Sequence, residues 1–195
     1  MTSKRKEPAK TSLPLKISEK VFPTASLEGG EETFSRLIEG DNLDVMQSLV
    51  HDKTKAKLIY MDPPFLSEAL YHQKIIINKK TVKVPAYSDK WSTKEEYLKM
   101  IRRRIILARR LLSDDGLLFV HCDWRASAHV RILLDKVFDE ENFLNEVIWH
   151  YGGRGAKATS GQFPRNHDTI FIYGKTKNAR LKKVYKEEVL SIAGA

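Results

Sequence analysis

Cysteine is nearly absent. The one thiol, Cys122, excludes an internal disulfide framework and fits a reducing, cytoplasmic setting. Long apolar runs are missing as well. None approaches the ~20 residues that span a bilayer. No apolar segment near the start has the pattern of a signal peptide, so a membrane is not among the expected partners. Internal repeats are absent. So is a Gly-x-Gly turn directly after a strand, the device that brings backbone against a bound cofactor. Gly153 to Gly155 lie in the polar run GGRGAKATSG, behind Trp149, His150 and Tyr151, and do not fit that turn. Adjacent His121, Cys122 and Asp123 alternate faces at a strand end, so no metal site is expected there.

What is present is positive charge and a regular alternation of elements. The 195 residues suffice for one domain with a core, and 42% hydrophobic and 30% charged content is ordinary for a globular chain. Net charge is +9, unevenly spread. Arg154 to Lys186 holds nine Lys or Arg against one acid, Asp168, a local balance of +8. A solvated surface explains such a run as readily as a polyanion partner. The second reading follows from the counterions that Lys and Arg displace from phosphates. Residues 1–32 read as a polar leader with too few large apolar side chains to order itself. Residues 33–178 are the folded part, and 179–195 a basic tail.

Within the folded part, FSRLIEGDNL begins as a short strand and breaks at Gly40. DNLDVMQSLV continues as a helix with Leu43, Met46 and Leu49 or Val50 on one face. KLIYMD is apolar on both faces, the pattern of a strand inside a parallel sheet. KIIINKKTVKV reads as a hairpin turning near Asn78 and Lys79. A long helix follows, capped by Ser92 or Thr93, with Tyr97, Ile101, Ile105, Ala108 and Leu112 as its apolar stripe and Gly116 after its end. LLFVHC is a further buried strand, and Asp123 is placed to cap the next helix, whose core face is Val130, Leu133, Leu134 and Val137. NEVIWHY and DTIFIYG complete the strands. This order predicts an α/β fold with a largely parallel sheet.

The stretch KLIYMDPPFLS carries the chemistry. Ligands of such sheets bind at the carboxyl ends of the strands, and Asp62 stands at that end. Pro63 and Pro64 fix φ and remove two N–H groups, so the chain leaves the sheet stiffly with its carbonyls in set directions. A carboxylate and a rigid carbonyl give two acceptors about one amino group apart, and Phe65 adds a flat apolar face. That set suits an exocyclic amine on an aromatic base. Holding both N–H bonds draws the nitrogen toward tetrahedral geometry and frees its lone pair to attack an electrophilic methyl. Asp-Pro-Pro by itself is also a common turn. The strand before it and the ring after it favour the functional reading.

At this point the chain resembles the adenine-N6 and cytosine-N4 DNA methyltransferases, in the group whose catalytic motif precedes the cofactor motif. DPPF at 62–65 resembles the catalytic motif, and GDNLDVMQSL the segment just before it. IRRRIILARRLLSDDGLLFVHCDWRASAHVRILLDKVFDEENFLNEVIWHY resembles the central region, and FPRNHDTIFIYGK the strand after it. The likeness covers roughly residues 34–177. It implies an incomplete Rossmann-like, doubly wound sheet of the S-adenosylmethionine-dependent methyltransferase type, with an antiparallel strand pair at one edge. It implies that Asp62, Pro63, Pro64 and Phe65 hold a base extruded from DNA, and that Asp41 binds the adenine amino group of S-adenosylmethionine. Trp149 and Tyr151 would line the base pocket, with core packing an equal alternative. The basic stretch with Lys182 and Lys183 would contact the DNA backbone. Asp rather than Ser before the prolines leans the target toward adenine. The role implied is site-specific methylation in a restriction–modification system.

The family's Phe-x-Gly-x-Gly cofactor turn and its target-recognition region have no counterpart here, so the sequence reads as the catalytic half. Three readings stand side by side: an inactive fragment, one subunit of a split enzyme whose second chain supplies the cofactor strand and recognition region, or a non-catalytic DNA-binding module. An RNA or protein methyltransferase is a weaker alternative. Without a cofactor strand, KLIYMD should lie at a sheet edge, and the strand at 35–39 should sit apart from it. Exposed edges pair with other chains, so the lone chain is expected to aggregate or form a homodimer.

Overall fold

A computed structural model describes residues 36–66, 70–77, 80–88, 91–151 and 165–182. The leader, the GGRGAK loop, Lys183 and most of the basic tail lie outside the described residues. The elements run α1 (Asn42–His51), β1 (Ala56–Met61), β2 (Leu70–Ile77), β3 (Lys80–Ser88), α2 (Lys94–Leu111), β4 (Leu112–Cys122), α3 (Ser127–Phe138), β5 (Phe143–His150) and β6 (His167–Gly174).

Four strands form one sheet in the order β1-β4-β6-β5, and β2-β3 form a separate antiparallel hairpin. The hairpin register runs up to Ile77 opposite Lys80, and the expected turn at Asn78 and Lys79 lies outside the described residues. The class is α/β, and the β5–β6 pair is the antiparallel pair at one edge. The parallel share is smaller than expected. Among the described residues only β1–β4 is parallel, and β4–β6 is antiparallel. β1 has β4 as its one sheet neighbour among these residues, so it stands at an edge.

The long helix follows from its stripe. Tyr97, Ile101, Ile105, Ala108 and Leu112 are all fully buried. Thr93 is the cap that forms, its hydroxyl accepting from the Glu96 amide at 3.1 Å. The stripe packs with Val130, Leu134 and Phe138 of α3 against Leu118, Val120 and Cys122 of β4 and Phe171 and Tyr173 of β6. Met46 of α1 and Ile59 and Met61 of β1 close the margins. All three helices therefore serve one face of the sheet. The second helical layer of a doubly wound sheet is not among the described residues.

Three local expectations are corrected. Residues 36–40 are irregular rather than a strand, with Leu37 fully exposed and Gly40 at φ +150°. A short extended segment needs a sheet neighbour, and among the described residues none lies beside this one. Gly116 does not end a helix. The helix stops at Leu111 and β4 starts at once, while the β1–β4 register jumps from Ala56↔Leu112 to Leu58↔Leu117. The chain folds tightly within that jump. A Cβ on Gly116 would stand 2.9 Å from the Ser113 carbonyl and 3.0 Å from that of Ala56. Asp123 does not cap α3, because a turn intervenes. Its carboxylate accepts from the Arg125 amide at 2.9 Å, and its carbonyl from Ala126 and Ser127, while Ala126 holds the cap position without a side-chain bond.

β1 also differs from a strand buried on both faces. Ile59 and Met61 face the core, while Leu58 and Tyr60 are 54% and 52% exposed. This asymmetry predicts two outcomes in chemical denaturation. Ile105→Ala should cost about 2–5 kcal/mol, since it leaves a cavity in a sealed core. Leu58→Ser should change stability by no more than about 0.5 kcal/mol. A large loss from Leu58→Ser would mean that its face is covered in solution.

Candidate active site

All four sheet strands deliver side chains to one edge. β1 and β4 run parallel and end there, β6 runs the other way and begins there, and β5 ends there. Asp62 leaves β1 with its side chain 61% exposed, and Pro63, Pro64 and Phe65 behind it are half-buried. The Pro64 carbonyl accepts from the hydroxyl of the fully buried Tyr97 at 2.9 Å. That bond ties the departing chain to α2. Leu66 then takes a φ of +57°, a left-handed conformation that is costly for a branched side chain. The exit from β1 is thus stiff through the prolines, anchored through Pro64 and sharply turned after Phe65.

His121 stands beside Asp62, one strand over. Its Nδ1 is 3.2 Å from the Tyr60 hydroxyl and 3.6 Å from Asp62 Oδ1, and its Nε2 is 3.3 Å from Asp168 Oδ2. The Phe65 ring meets it edge-on at 5.1 Å between centroids. Asp168 also accepts from the Tyr151 hydroxyl at 3.4 Å. Burial, with Asp62 and Asp168 nearby, pushes the Tyr60 hydroxyl up from the usual phenol range. Tyr151 shifts the same way through burial first and then Asp168. Both phenols therefore act as donors toward these carboxylates and the ring.

Trp149 and Tyr151 lie at this edge, 58% and 46% exposed. Both are too exposed to be core residues, and their side chains stand open at this edge. Trp124, just past β4, is flanked by Arg165 at 3.7 Å and Arg125 at 4.7 Å from its ring centroid. Lys182 is exposed beyond the far end of β6, at the opposite end of the sheet, so the structure does not bring it to this edge.

Asp41 stands elsewhere. It caps α1, accepting from the Leu43 amide at 2.8 Å, and Arg104 on α2 approaches it at 3.5 Å. Burial lowers the Arg104 guanidinium, and Asp41 partly offsets this. No contact among the described residues joins Asp41 to the Asp62 cluster. Its carboxylate is 61% exposed, which leaves a charged acceptor available to a purine amino edge. Further groups that would cradle a cofactor are not among the described residues.

His121, Asp168 and Tyr60 were not singled out as site residues from the sequence. The signal was available across the sheet rather than along the chain. Pairing KLIYMD with LLFVHC from their apolar cores sets Asp62 beside His121, and alternation puts Tyr60 and His121 on one face.

With this geometry in hand, the comparisons are direct. The sequence pattern of the DNA methylase family matches residues 56–191, and the chain belongs to that N6/N4 methyltransferase family. It is 31% identical over 156 residues to the type II methyltransferase M.KpnI of Klebsiella pneumoniae, covering 77% of this chain and 35% of that protein. It is 34% identical over 155 residues to the probable type III restriction-modification enzyme HindVI Mod subunit of Haemophilus influenzae, covering 77% of this chain and 19% of that one. The chain thus spans about a third or less of the length of these relatives. Among solved structures, the M1.HpyAVI–SAM complex superposes with a TM-score of 0.49 at 13% identity, over 76% of this chain and 59% of that one. S-adenosylmethionine is the methyl donor of the family. Among the described residues no helix is long and apolar enough to cross a membrane.

Cys122 has no part in this chemistry. It is fully buried, and burial, with Asp123 next, pushes its thiol up to about 12. The thiolate is the reactive form, so the native chain should resist iodoacetamide at about pH 8 and react rapidly once unfolded. Mass spectrometry of the alkylated chain reads this directly. Fast alkylation of the native protein would show that the β4 end opens in solution.

Proposed function

We propose that this chain carries the catalytic centre of a site-specific DNA methyltransferase of a restriction–modification system. It would direct a methyl group from S-adenosylmethionine to the N6 amine of an adenine extruded from the duplex. The observation that carries the reading is the exposed Asp62 carboxylate at the end of β1, on a proline exit anchored to α2, at the same end of the sheet as the exposed Trp149 and Tyr151. Asp62 and the Pro63 carbonyl are the two acceptors for the amine. Phe65, Tyr151 and Trp149 offer faces on which a flipped base stacks, an interaction worth about 1–3 kcal/mol per base. Asp41 is the residue for the donor's adenine amino group. The donor brings an electrophilic methyl, and the protein's share is orientation and charge placement.

Arg165, Lys182 and Lys183 fall in the basic stretch and are the residues for the DNA backbone. The domain boundaries follow the same reading: 33–178 as the catalytic part, with a leader before it and a basic tail after it.

A second reading has its own observation. The sheet face opposite the helices carries exposed Leu58, Tyr60, Val147 and Trp149. In a split enzyme that face would be covered by a second chain bringing the cofactor strand and recognition region. A homodimer is the alternative occupant, and an inactive fragment or a non-catalytic DNA-binding module the outcome if neither restores transfer.

Methyl transfer from labelled S-adenosylmethionine to DNA tests the main reading. Asp62→Ala should reduce transfer by about 10²-fold or more with folding intact, on the scale of a lost transition-state acceptor. Asp62→Asn, which keeps an acceptor and loses the charge, should also fall steeply. Near-full transfer by either variant would remove Asp62 from the mechanism.

DNA affinity tests the interface. It should drop steeply with salt. Replacing Lys182 and Lys183 by Glu should weaken all sequences equally. Unchanged affinity would leave this stretch as a solvated tail.

A further inference from the structure

His121 lies one strand from Asp62 and touches more of the site than any other side chain at this edge, yet the proposed reaction gives it nothing to do. It is only 18% exposed and is held from both sides. The titratable groups facing it among the described residues are Tyr60 and Asp62 from the β1 end and Asp168 from β6, with Tyr151 on the far side of Asp168. A neutral imidazole has one N–H and one bare nitrogen. Asp168 as a carboxylate can only accept, so the contact at Nε2 places the proton there. The Tyr60 hydroxyl, a donor, then meets the bare Nδ1. The opposite tautomer would set a lone pair against an Asp168 oxygen at 3.3 Å and leave Tyr60 a less suitable partner. The bare nitrogen is therefore the one on the Asp62 side, 3.6 Å from its Oδ1.

This is the arrangement of an oriented base: a carboxylate fixes the tautomer of an imidazole, and its unprotonated nitrogen accepts from Tyr60 with the Asp62 carboxylate beside it. We propose that His121, oriented by Asp168, is a positioning and proton-accepting residue that acts through Asp62. The proposal rests on the methyltransferase reading of Asp62. When the amine nitrogen forms its bond to the methyl group, the carbon–sulfur bond of the sulfonium donor breaks and sulfur keeps the electron pair. The nitrogen is left cationic and loses one N–H proton to Asp62. The Tyr60 hydroxyl turns its hydrogen away from Nδ1 of His121, and Asp62 passes the proton to that nitrogen. The imidazolium then has two N–H groups, one toward Asp168 and one toward Asp62 and the Tyr60 oxygen, and yields a proton to solvent before the next cycle. Asp62 returns as a carboxylate, ready to accept a new amine.

Two measurements on the full chain separate this proposal from the reading beneath it. The first needs no activity. Ring nitrogen–proton correlation spectra at about pH 8.5, where free imidazole is neutral, should show His121 with its proton on Nε2. The Asp168→Ala variant should lose that preference. A proton on Nδ1 in the parent chain, or a tautomer indifferent to Asp168, overturns the proposal even if methyl transfer is robust. The second is single-turnover methyl transfer. His121→Gly should slow the step about a hundredfold, the lower end for a positioned proton acceptor, with DNA affinity unchanged. Added imidazole should restore much of the rate. A rate within twofold of the parent, or a slow variant deaf to imidazole, overturns it. If the parent chain transfers no methyl to DNA, alone or with a second chain, the methyltransferase reading fails while the tautomer still decides the arrangement of His121.

Discussion

The parallel pairing of β1 with β4 is the constraint on which the rest depends. Tyr60 lies opposite Phe119 and Met61 opposite Val120, so both strands run out at the same edge. Asp62 and His121 are the next residues on each. Because β6 is antiparallel to β4, its first residues arrive at that edge too, and Asp168 comes within reach of the ring. A slip of one residue would turn His121 to the helix side and bring Cys122 to the open face, since faces alternate along a strand. The register is in turn fixed by the tight fold of Ser113 to Gly116, which a side chain at Gly116 would not fit.

The core explains why such a register holds with helices on one face. The α2 stripe, the α3 face and alternate residues of β4 and β6 are fully or nearly fully buried together. Tyr97 belongs to that core and also holds the Pro64 carbonyl. The exit from β1 is thereby fastened to the buried core by a bond on the helix side of the sheet. At the β1 edge, Lys57 pairs with Asp115 at 2.7 Å. Both are exposed, so the pair contributes little to stability, but a charge at an edge strand discourages pairing with another chain.

How much of this could be read from the sequence depended on the range of the interactions involved. The α2 stripe was legible because a 3.6-residue period needs only the chain itself, and all five of its positions are buried. The antiparallel pairing of β2 with β3 was legible for the same local reason. The segment at 36–40 was not, because strand character there depends on a neighbour supplied by the fold. β1 looked buried on both faces because Leu58 and Tyr60 are as apolar as Ile59 and Met61. Which face is covered is decided by where the helices land. Asp62, Pro63, Pro64 and Phe65 were marked by their order along the chain, and the edge they occupy was expected. The partner of Asp62 was missed because His121 reaches it only across the sheet and carries no local motif, and Asp168 joins the cluster one strand further on, through His121.

Asp168 shows what the cross-strand view adds to the charge pattern. It is the one acid among the nine basic residues from Arg154 to Lys186, and an acid set among them would cancel part of their charge. The fold resolves this by turning it inward. Its side chain is 15% exposed and faces His121, and it accepts from Tyr151. Its negative charge is met locally by donors from two strands rather than projected toward solvent. Of the described basic residues in that stretch, Arg165 precedes β6 at this edge, whereas Lys175, Lys177, Arg180 and Lys182 follow its far end, so the inward-turned acid and most of the described positive charge are separated by the length of the strand.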